Sequence, residues 1–141
     1  MELNKLYEIA DRENIAIYEW DIDDSNGIYL NYDKIHAIAL NPKVLETSVE
    51  KKCTLAEELG HYYMDASYHP LYSDSTYISK QEFKAKKWTY NVLISLEELK
   101  KAVSKGITLV EELADYFEVT VQYMENCLRY YKSKGLIDCN I

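Results

Sequence analysis

The sequence predicts an α+β fold in which the strands are grouped near the N-terminus and helices occupy the rest of the chain. β-Branched and aromatic segments fall between residues 15 and 41, whereas apolar residues before and after them recur at helical spacing. Glycine and proline number 4 and 2, too few for a sandwich with many tight turns. At 141 residues, the chain can bury one substantial core.

The first part of the chain is predicted to form four elements: a helix over 1–14 and strands over 15–20, 27–32 and 35–41. The helix has its apolar residues on one face, and the strands are rich in β-branched and aromatic residues. Asn26-Gly27 closes a turn-rich stretch and indicates a hairpin between the first two strands. These patterns predict a small three-stranded antiparallel meander.

Helices are predicted over the remaining chain, at 44–64, 80–92, 96–103, 108–117 and 121–134. Pro42 is expected to open the first of these helices, and Ser79 to cap the second. Gly135 is expected to stop the last one.

Charge and cysteine content indicate which kinds of partner and which cellular compartment to expect. The chain has 16 Lys+Arg against 24 Asp+Glu, a net charge of −8, which argues against direct binding to nucleic-acid phosphates. Its three cysteines are far apart and form no CxxC pair, which favours reduced thiols and a cytoplasmic location. No apolar run approaches the roughly 20 residues of a membrane helix, so we expect no membrane contact.

The candidate chemistry lies in the predicted helix over 44–64. Glu57 and His61 are four residues apart, so they project from one helix face, and both side-chain types bind zinc. Glu58 occupies the place of the general base in the metalloprotease pattern H-E-x-x-H. Gly60 would allow a neighbouring backbone to approach closely. The alternative is an ordinary amphipathic helix with a surface Glu pair and one histidine.

The segment TLAEELGHYY resembles the active-site helix of the ImmA/IrrE family of metallopeptidases, whose pattern is hydrophobic-Ala-His-Glu-hydrophobic-Gly-His. Glu57 stands where that pattern has its first His. The segment KQEFKAKKW is similar to the family's second motif, Glu-x-x-Ala followed by an aromatic residue. Its Glu is the family's third metal ligand and corresponds to Glu82. The resemblance implies a zincin-like domain over 1–104, with a helical extension over 105–141 packed on it.

The resemblance also implies an activity. It predicts a metal-dependent endopeptidase that cleaves a helix-turn-helix repressor of a prophage or another mobile element. Glu57, His61 and Glu82 would hold one divalent ion, and Glu58 would activate a water bound to it. Zinc is the first expectation, and the two carboxylates also admit manganese or iron. Two anionic ligands would leave the bound water less acidified than at a His-rich site.

Two other functions stay open at this point. Because Glu57 replaces a histidine, the chain could be an inactive family member that binds the repressor without cleaving it. Residues 113–128 also look like a helix-turn-helix, with apolar Ala114, Val119 and Leu128 where such a unit packs. That unit could read DNA, but its acidic surroundings favour packing or protein docking.

Several residues between the predicted ligands could donate a hydrogen bond to the oxyanion of the reaction: Tyr62, Tyr63, Tyr68, His69, Tyr72 and Tyr77. For each tyrosine, packing is the favoured interpretation. His69 is the second choice for the third ligand, after Glu82, which a helix would hold more firmly. His36, on the third strand, is expected to be a packed or surface residue. If that strand is the sheet edge, an extended substrate could pair with it.

Overall fold

The fold is α+β, as predicted. The computed structural model describes residues 1–64 and 75–138, without the side chains of residues 75–79, 81 and 82. The elements in chain order are α1 (Leu3–Arg12), β1 (Ala16–Glu19), β2 (Gly27–Tyr32), β3 (Ile35–Leu40), α2 (Ser48–Tyr63), α3 (Ser75–Leu93), α4 (Leu96–Ser104), α5 (Val110–Phe117) and α6 (Val121–Ser133). Among the described residues, no helix has the length and apolar content that crossing a bilayer requires.

The chain forms two compact units, Met1–Thr89 and Tyr90–Ile141, and α3 runs through the point of division. The first unit contains the sheet and α2, and the second contains α4, α5 and α6. The predicted division into a domain over 1–104 and an extension over 105–141 stays a prediction.

The pairing of the strands corrects the predicted meander. The order is β1-β3-β2, so β3 is central, and β1 pairs with it in parallel from Ala16↔Ala37 to Glu19↔Leu40. β2 pairs with β3 in the expected antiparallel way. The predicted hairpin between β1 and β2 is therefore wrong, and so is the idea that the strand of His36 forms an edge.

Two connections explain this topology. Asp33 and Lys34 make the two-residue turn between β2 and β3, and both have a positive φ, at 49° and 64°. This is the conformation of a type I′ hairpin turn, even though neither residue is glycine. The longer loop before β2 is held by Asn41, at the end of β3. The buried side-chain amide of Asn41 donates to the carbonyl oxygens of Ser25 at 2.9 Å and Asp23 at 3.3 Å.

Two predicted helix starts need correction. Pro42 does not open α2, because the side-chain oxygen of Asn41 accepts a hydrogen bond from the Lys43 N–H at 3.0 Å and holds the chain in a turn. α2 begins after Thr47, whose hydroxyl accepts from the Glu50 N–H at 3.1 Å. α3 starts earlier than predicted, at Ser75, so Ser79 lies inside the helix.

One face of the sheet packs on helices. Ile38 and Leu40 of β3 are fully buried, and α2 contacts both β2 and β3. On the same side, α1 buries Leu6 and Ala10, and it contacts α2 and β1. These contacts place α2 firmly in the first unit, with its C-terminal turns beside the aromatic residues of β2 and β3.

The second unit contains the predicted helix-turn-helix. α5 ends at Glu118, which is left-handed at φ 54° and ψ 51°. Thr120 then caps α6 by accepting from the Tyr123 N–H at 3.1 Å, and Val119 between them is buried. Tyr131 of α6 is also buried and donates a 2.6 Å hydrogen bond to the carbonyl of Ile94. The geometry of the predicted unit is thus present, whereas its role is a separate question.

Candidate functional site

The three candidate residues of α2 lie in its last two turns. Glu58 and His61 are buried, at 9% and 6% exposure, and Glu57 is half-buried. In a helix, side chains four residues apart lie on one face, about 5–6 Å apart at Cβ, so Glu57 and His61 are neighbours. The helix ends at Tyr63, and the partial negative charge of a helix C-terminus favours a cation there.

Glu58 points to a different neighbour, the start of β2. A Cβ placed on Gly27 would lie 3.5 Å from Cγ of Glu58 and only 2.7 Å from Cγ2 of Thr54. Thr54 and Glu58 are one turn apart, so this side of α2 packs against the strand at a residue that has no side chain. The missing side chain of Gly27 is therefore what lets α2 approach the sheet beside Glu58.

Gly60 has the role expected of it, the close approach of another backbone. A Cβ on Gly60 would lie 2.5 Å from the carbonyl oxygen of Ala85 in α3, and 3.1 Å from the hydroxyl of Thr89. That hydroxyl lies 2.8 Å from the carbonyl oxygen of Ala85 and 3.2 Å from that of Ala56 in α2. Gly60 is next to His61, so this helix crossing lies directly beside the candidate ligand.

The predicted third ligand, Glu82, belongs to α3 and precedes Ala85 by three residues. Its backbone is part of the helix that meets Gly60, but its side chain lies outside the described residues. His69, Tyr68 and Tyr72 also lie outside them, as does the side chain of Tyr77. The assignment of Glu57, His61 and Glu82 as a ligand set stays a prediction.

The chemistry of the two described donors fits a divalent metal ion. One carboxylate and one imidazole on a single helix face are both common zinc ligands, and a third donor would complete a catalytic site. Within residues 1–64 and 75–138, counting only the described side chains, no group of three or more His, Cys, Asp or Glu residues is placed to hold a metal. The third donor would have to come from outside that set.

Tyr62 ties α2 to the end of α1. Its hydroxyl donates a 2.8 Å hydrogen bond to Oε2 of Glu13, which raises the pKa of Tyr62 above its usual range. Its ring meets the rings of His36 and Tyr29 edge to face, at centroid distances of 5.1 Å and 6.2 Å. Tyr62 is therefore packed, as the favoured interpretation has it, and its part in the oxyanion site stays untested.

His36 is packed, as expected. Its Nδ1 is 2.6 Å from the hydroxyl of Tyr29, and the two rings are nearly parallel. Tyr63, whose ring meets that of Tyr62 edge to face at 5.1 Å, stacks on Trp88 of α3 at 5.0 Å. It also forms a hydrogen bond with the guanidinium of Arg12 that raises the pKa of this arginine. These rings surround the end of α2 and fix the turn that carries His61.

Sequence reasoning missed two residues that support the site. Thr89 is fully buried, and its hydroxyl lies within hydrogen-bond distance of one carbonyl in α2 and one in α3, yet it belongs to no motif. Tyr29 holds His36, and only the alternation of β2 could have placed it on the inner face of the sheet. Neither residue has a local pattern that signals its partner.

Comparison with protein families gives one extended match. The family model described as the IrrE N-terminal-like domain, a peptidase family, matches residues 10–129. The matched range includes the whole of β1 to α5 and most of α6. No curated protein and no solved structure gives a significant match to the chain.

Proposed function

This chain belongs to the metallopeptidase family of the IrrE N-terminal-like domain, and on that premise we propose that it is a metal-dependent endopeptidase. The observation that carries the proposal is the family match over residues 10–129, combined with a buried Glu58-His61 pair on α2. As the substrate we propose a helix-turn-helix repressor of a prophage or another mobile element, cleaved in the cytoplasm.

The metal is proposed to bind at the C-terminal end of α2. Glu57 and His61 supply two ligands from one helix face, and Glu82 of α3 supplies the third. The close crossing at Gly60 supports this assignment, because it brings the backbone of α3 next to the turn that carries His61. When bound, a divalent ion would polarise the scissile carbonyl and acidify a water molecule.

Glu58 is proposed as the general base. Its carboxylate accepts the proton of the attacking water and then returns it to the leaving amine. The stem of the side chain lies against the start of β2 at Gly27, which limits the directions in which the carboxylate can point.

The charge of the chain supports a protein substrate of the proposed kind. A net charge of −8 complements the basic surface with which a repressor binds DNA. The same charge disfavours direct binding of this chain to DNA, including through the helix-turn-helix of α5 and α6.

The second candidate function is a regulator that binds the repressor without cleaving it. It is favoured by Glu57, which stands where the family pattern has a histidine. Two carboxylates and one imidazole would neutralise the ion and leave the water less acidic. In this case the fold and the partner stay the same, and only turnover is absent.

Elemental analysis of the purified protein after loading with zinc, manganese or iron tests the metal site. We expect about one ion per chain in the wild type and in His36→Gln, a matched histidine exchange on β3, since one such site binds one ion. His61→Ala and Glu82→Ala should bind none. Metal retained in Glu82→Ala would move the third ligand elsewhere, with His69 as the next choice.

Activity is tested separately, by incubating the loaded protein with purified repressors from the same genome and following their intact mass. A discrete cleavage that requires His61 would support the peptidase. Binding of a repressor without any cleavage, under every metal loading, would favour the regulator instead.

A further inference from the structure

The sheet has a second face, which we call the outer sheet face. It is defined by the strand residues whose side chains alternate with those facing α2: Ala16 and Tyr18 of β1, Ile28, Leu30 and Tyr32 of β2, and Ile35, Ala37 and Ala39 of β3. The register places Ala39 between Tyr18 and Ile28, and Ala37 between Ala16 and Leu30. All eight residues are apolar or aromatic, and none is charged.

The large side chains of this face are open to solvent, whereas Ala39 between them is buried. The five large side chains, Tyr18, Ile28, Leu30, Tyr32 and Ile35, are between 38% and 81% exposed. A sheet with one solvated face usually alternates apolar residues inward with polar residues outward. Here the outer sheet face is apolar, whereas α1 and α2, among the described elements, pack on the inner face. A contiguous exposed apolar surface of this kind marks an interaction site.

The dimensions of the outer sheet face suit one α-helix. Three strands about 4.8 Å apart, with their side chains, are about as wide as a single helix of 10–12 Å diameter. The six residues of β2 and β3 span about 20 Å, the length of roughly 13 helical residues. Ala39 lies between the larger Tyr18 and Ile28, and Ala37 lies between Ala16 and the larger Leu30. Small side chains therefore follow the middle strand, and we call this line of Ala37 and Ala39 the trough.

The charges at one end of the sheet define the partner further. Asp21, Asp23 and Asp24 occupy the loop after β1 and are all exposed. Asp21 is paired with Lys43 at 2.6 Å, and residues 1–64 as a whole hold 13 Asp and Glu against 6 Lys and Arg. A second copy of this chain would bring the same excess of carboxylates to the interface, so self-association is disfavoured.

We propose that the outer sheet face is a docking surface for one amphipathic helix of a partner protein, with basic residues beside its apolar stripe. The helix lies in the trough over β3 and completes a third layer on the sheet. Its Lys or Arg residues are placed at the end that meets Asp23 and Asp24. The surface lies on the opposite side of the sheet from α2, so docking does not depend on metal binding or cleavage.

The probe is a fluorescein-labelled 14-residue peptide of Leu and Lys at helical spacing, titrated with the full chain and followed by anisotropy. A peptide of the same composition in an order that has no helical stripe is the control. We expect the patterned peptide to bind about tenfold more tightly than the control peptide, because only the patterned order forms an apolar face.

Two double variants locate the binding surface. Tyr18→Thr/Leu30→Thr keeps the β-propensity of the strands and should weaken binding by about tenfold. Leu109→Thr/Tyr116→Thr makes the same chemical change at exposed residues of the second unit, and should change binding less than twofold. Asp23→Asn/Asp24→Asn should weaken peptide binding and reduce the salt dependence of that binding. Glu111→Gln/Glu112→Gln removes two charges in the second unit and should change neither quantity. Circular dichroism checks that each variant is folded.

Three outcomes would overturn the proposal. The first is equal affinity for the patterned and control peptides, and the second is an equal loss of binding in the two Thr double variants. The third is a concentration-dependent dimer in sedimentation that Tyr18→Thr/Leu30→Thr disperses, without specific peptide binding. That result would assign the face to a second copy of the chain.

Discussion

Gly60 of α2 and Ala85 of α3 are in backbone contact: a Cβ on Gly60 would lie 2.5 Å from the carbonyl oxygen of Ala85. The contact lies one residue before His61 and three residues after Glu82. Any change in the distance between the two helices at this point would therefore move two of the proposed ligands relative to each other.

Gly60→Ala should destabilise the protein by about 1–3 kcal/mol, the usual cost of forcing an extra carbon into a packed contact. Helix propensity alone predicts the opposite sign, since Ala in a helix is more stable than Gly by about 1 kcal/mol. Urea unfolding of the wild type and of Gly60→Ala decides between the packing cost and the helix-propensity gain. An unchanged or higher free energy of unfolding would mean that α2 and α3 are not in close contact.

Tyr62→Phe should lower the free energy of unfolding by about 1–2 kcal/mol, because the phenol loses its hydrogen bond to a carboxylate. A double-mutant cycle with Glu13→Ala isolates the pair, and we expect a coupling of about 1 kcal/mol. Additive effects of the two changes would show that the bond contributes nothing to stability.

Lys34→Gly should stabilise the protein by about 1 kcal/mol, because Lys34 has a left-handed φ of 64° that costs a residue with a side chain more than glycine. Lys34→Ala removes the same charge but keeps a Cβ, and should bring no gain. Thermal unfolding of the three proteins gives the comparison. Equal stabilisation by both changes would point to the charge rather than the backbone.

Stability should fall in alkaline solution through Cys127. Burial raises the pKa of this thiol from 9.0 to about 12, so the folded state holds its proton longer than the unfolded state. The resulting contribution is complete below pH 9 and is lost as the pH rises toward 12, with a slope of up to about 1.4 kcal/mol per pH unit. In urea unfolding under reducing conditions, the advantage of wild type over Cys127→Ala should shrink between pH 9 and 10. A constant difference would contradict the shift.

Glu58→Gln should leave the fold and the bound metal unchanged while lowering any cleavage rate by about 10²–10⁴-fold, the usual contribution of a general base. Glutamine has the same shape and keeps the contact with Gly27, so the effect is confined to proton transfer. Glu50→Gln, in the first turn of α2, is the matched control. Undiminished cleavage by Glu58→Gln would remove this residue from the reaction.

Most elements could be predicted from the sequence because their signals are local. β2 has the predicted limits, 27–32, and α5 and α6 differ from the predicted helices by two residues or fewer at each end. Gly60 was also assigned correctly, since a glycine in a helix beside a ligand pattern indicates a close approach. In each case the residues that form the element also carry the pattern.

The strand order could not be predicted in the same way. Asn26-Gly27 is a strong hairpin signal, but the two-residue turn forms at Asp33-Lys34, where neither residue favours a positive φ strongly. What decides the pairing is non-local: Asn41 holds the loop of Asp23 and Ser25 by hydrogen bonds across 16 and 18 residues. Local patterns in a single sequence do not indicate hydrogen bonds between residues so far apart. The contacts of Thr89 beside the candidate site could not be predicted for the same reason.

The parallel pairing of β1 also protects the chain from aggregation. β3 has no charged residue and no proline, and its composition of Ile, Ala and Leu with one His suits intermolecular strand pairing. β3 is protected from such pairing while β1 covers one of its edges and β2 covers the other. β1 is only four residues long, and it pairs with residues of β3 that lie 21 positions later in the chain, such as Ala37 opposite Ala16. Truncation or proteolysis near the N-terminus would therefore expose an aggregation-prone edge of β3. Insoluble protein should then appear at a lower temperature than the unfolding of the helices.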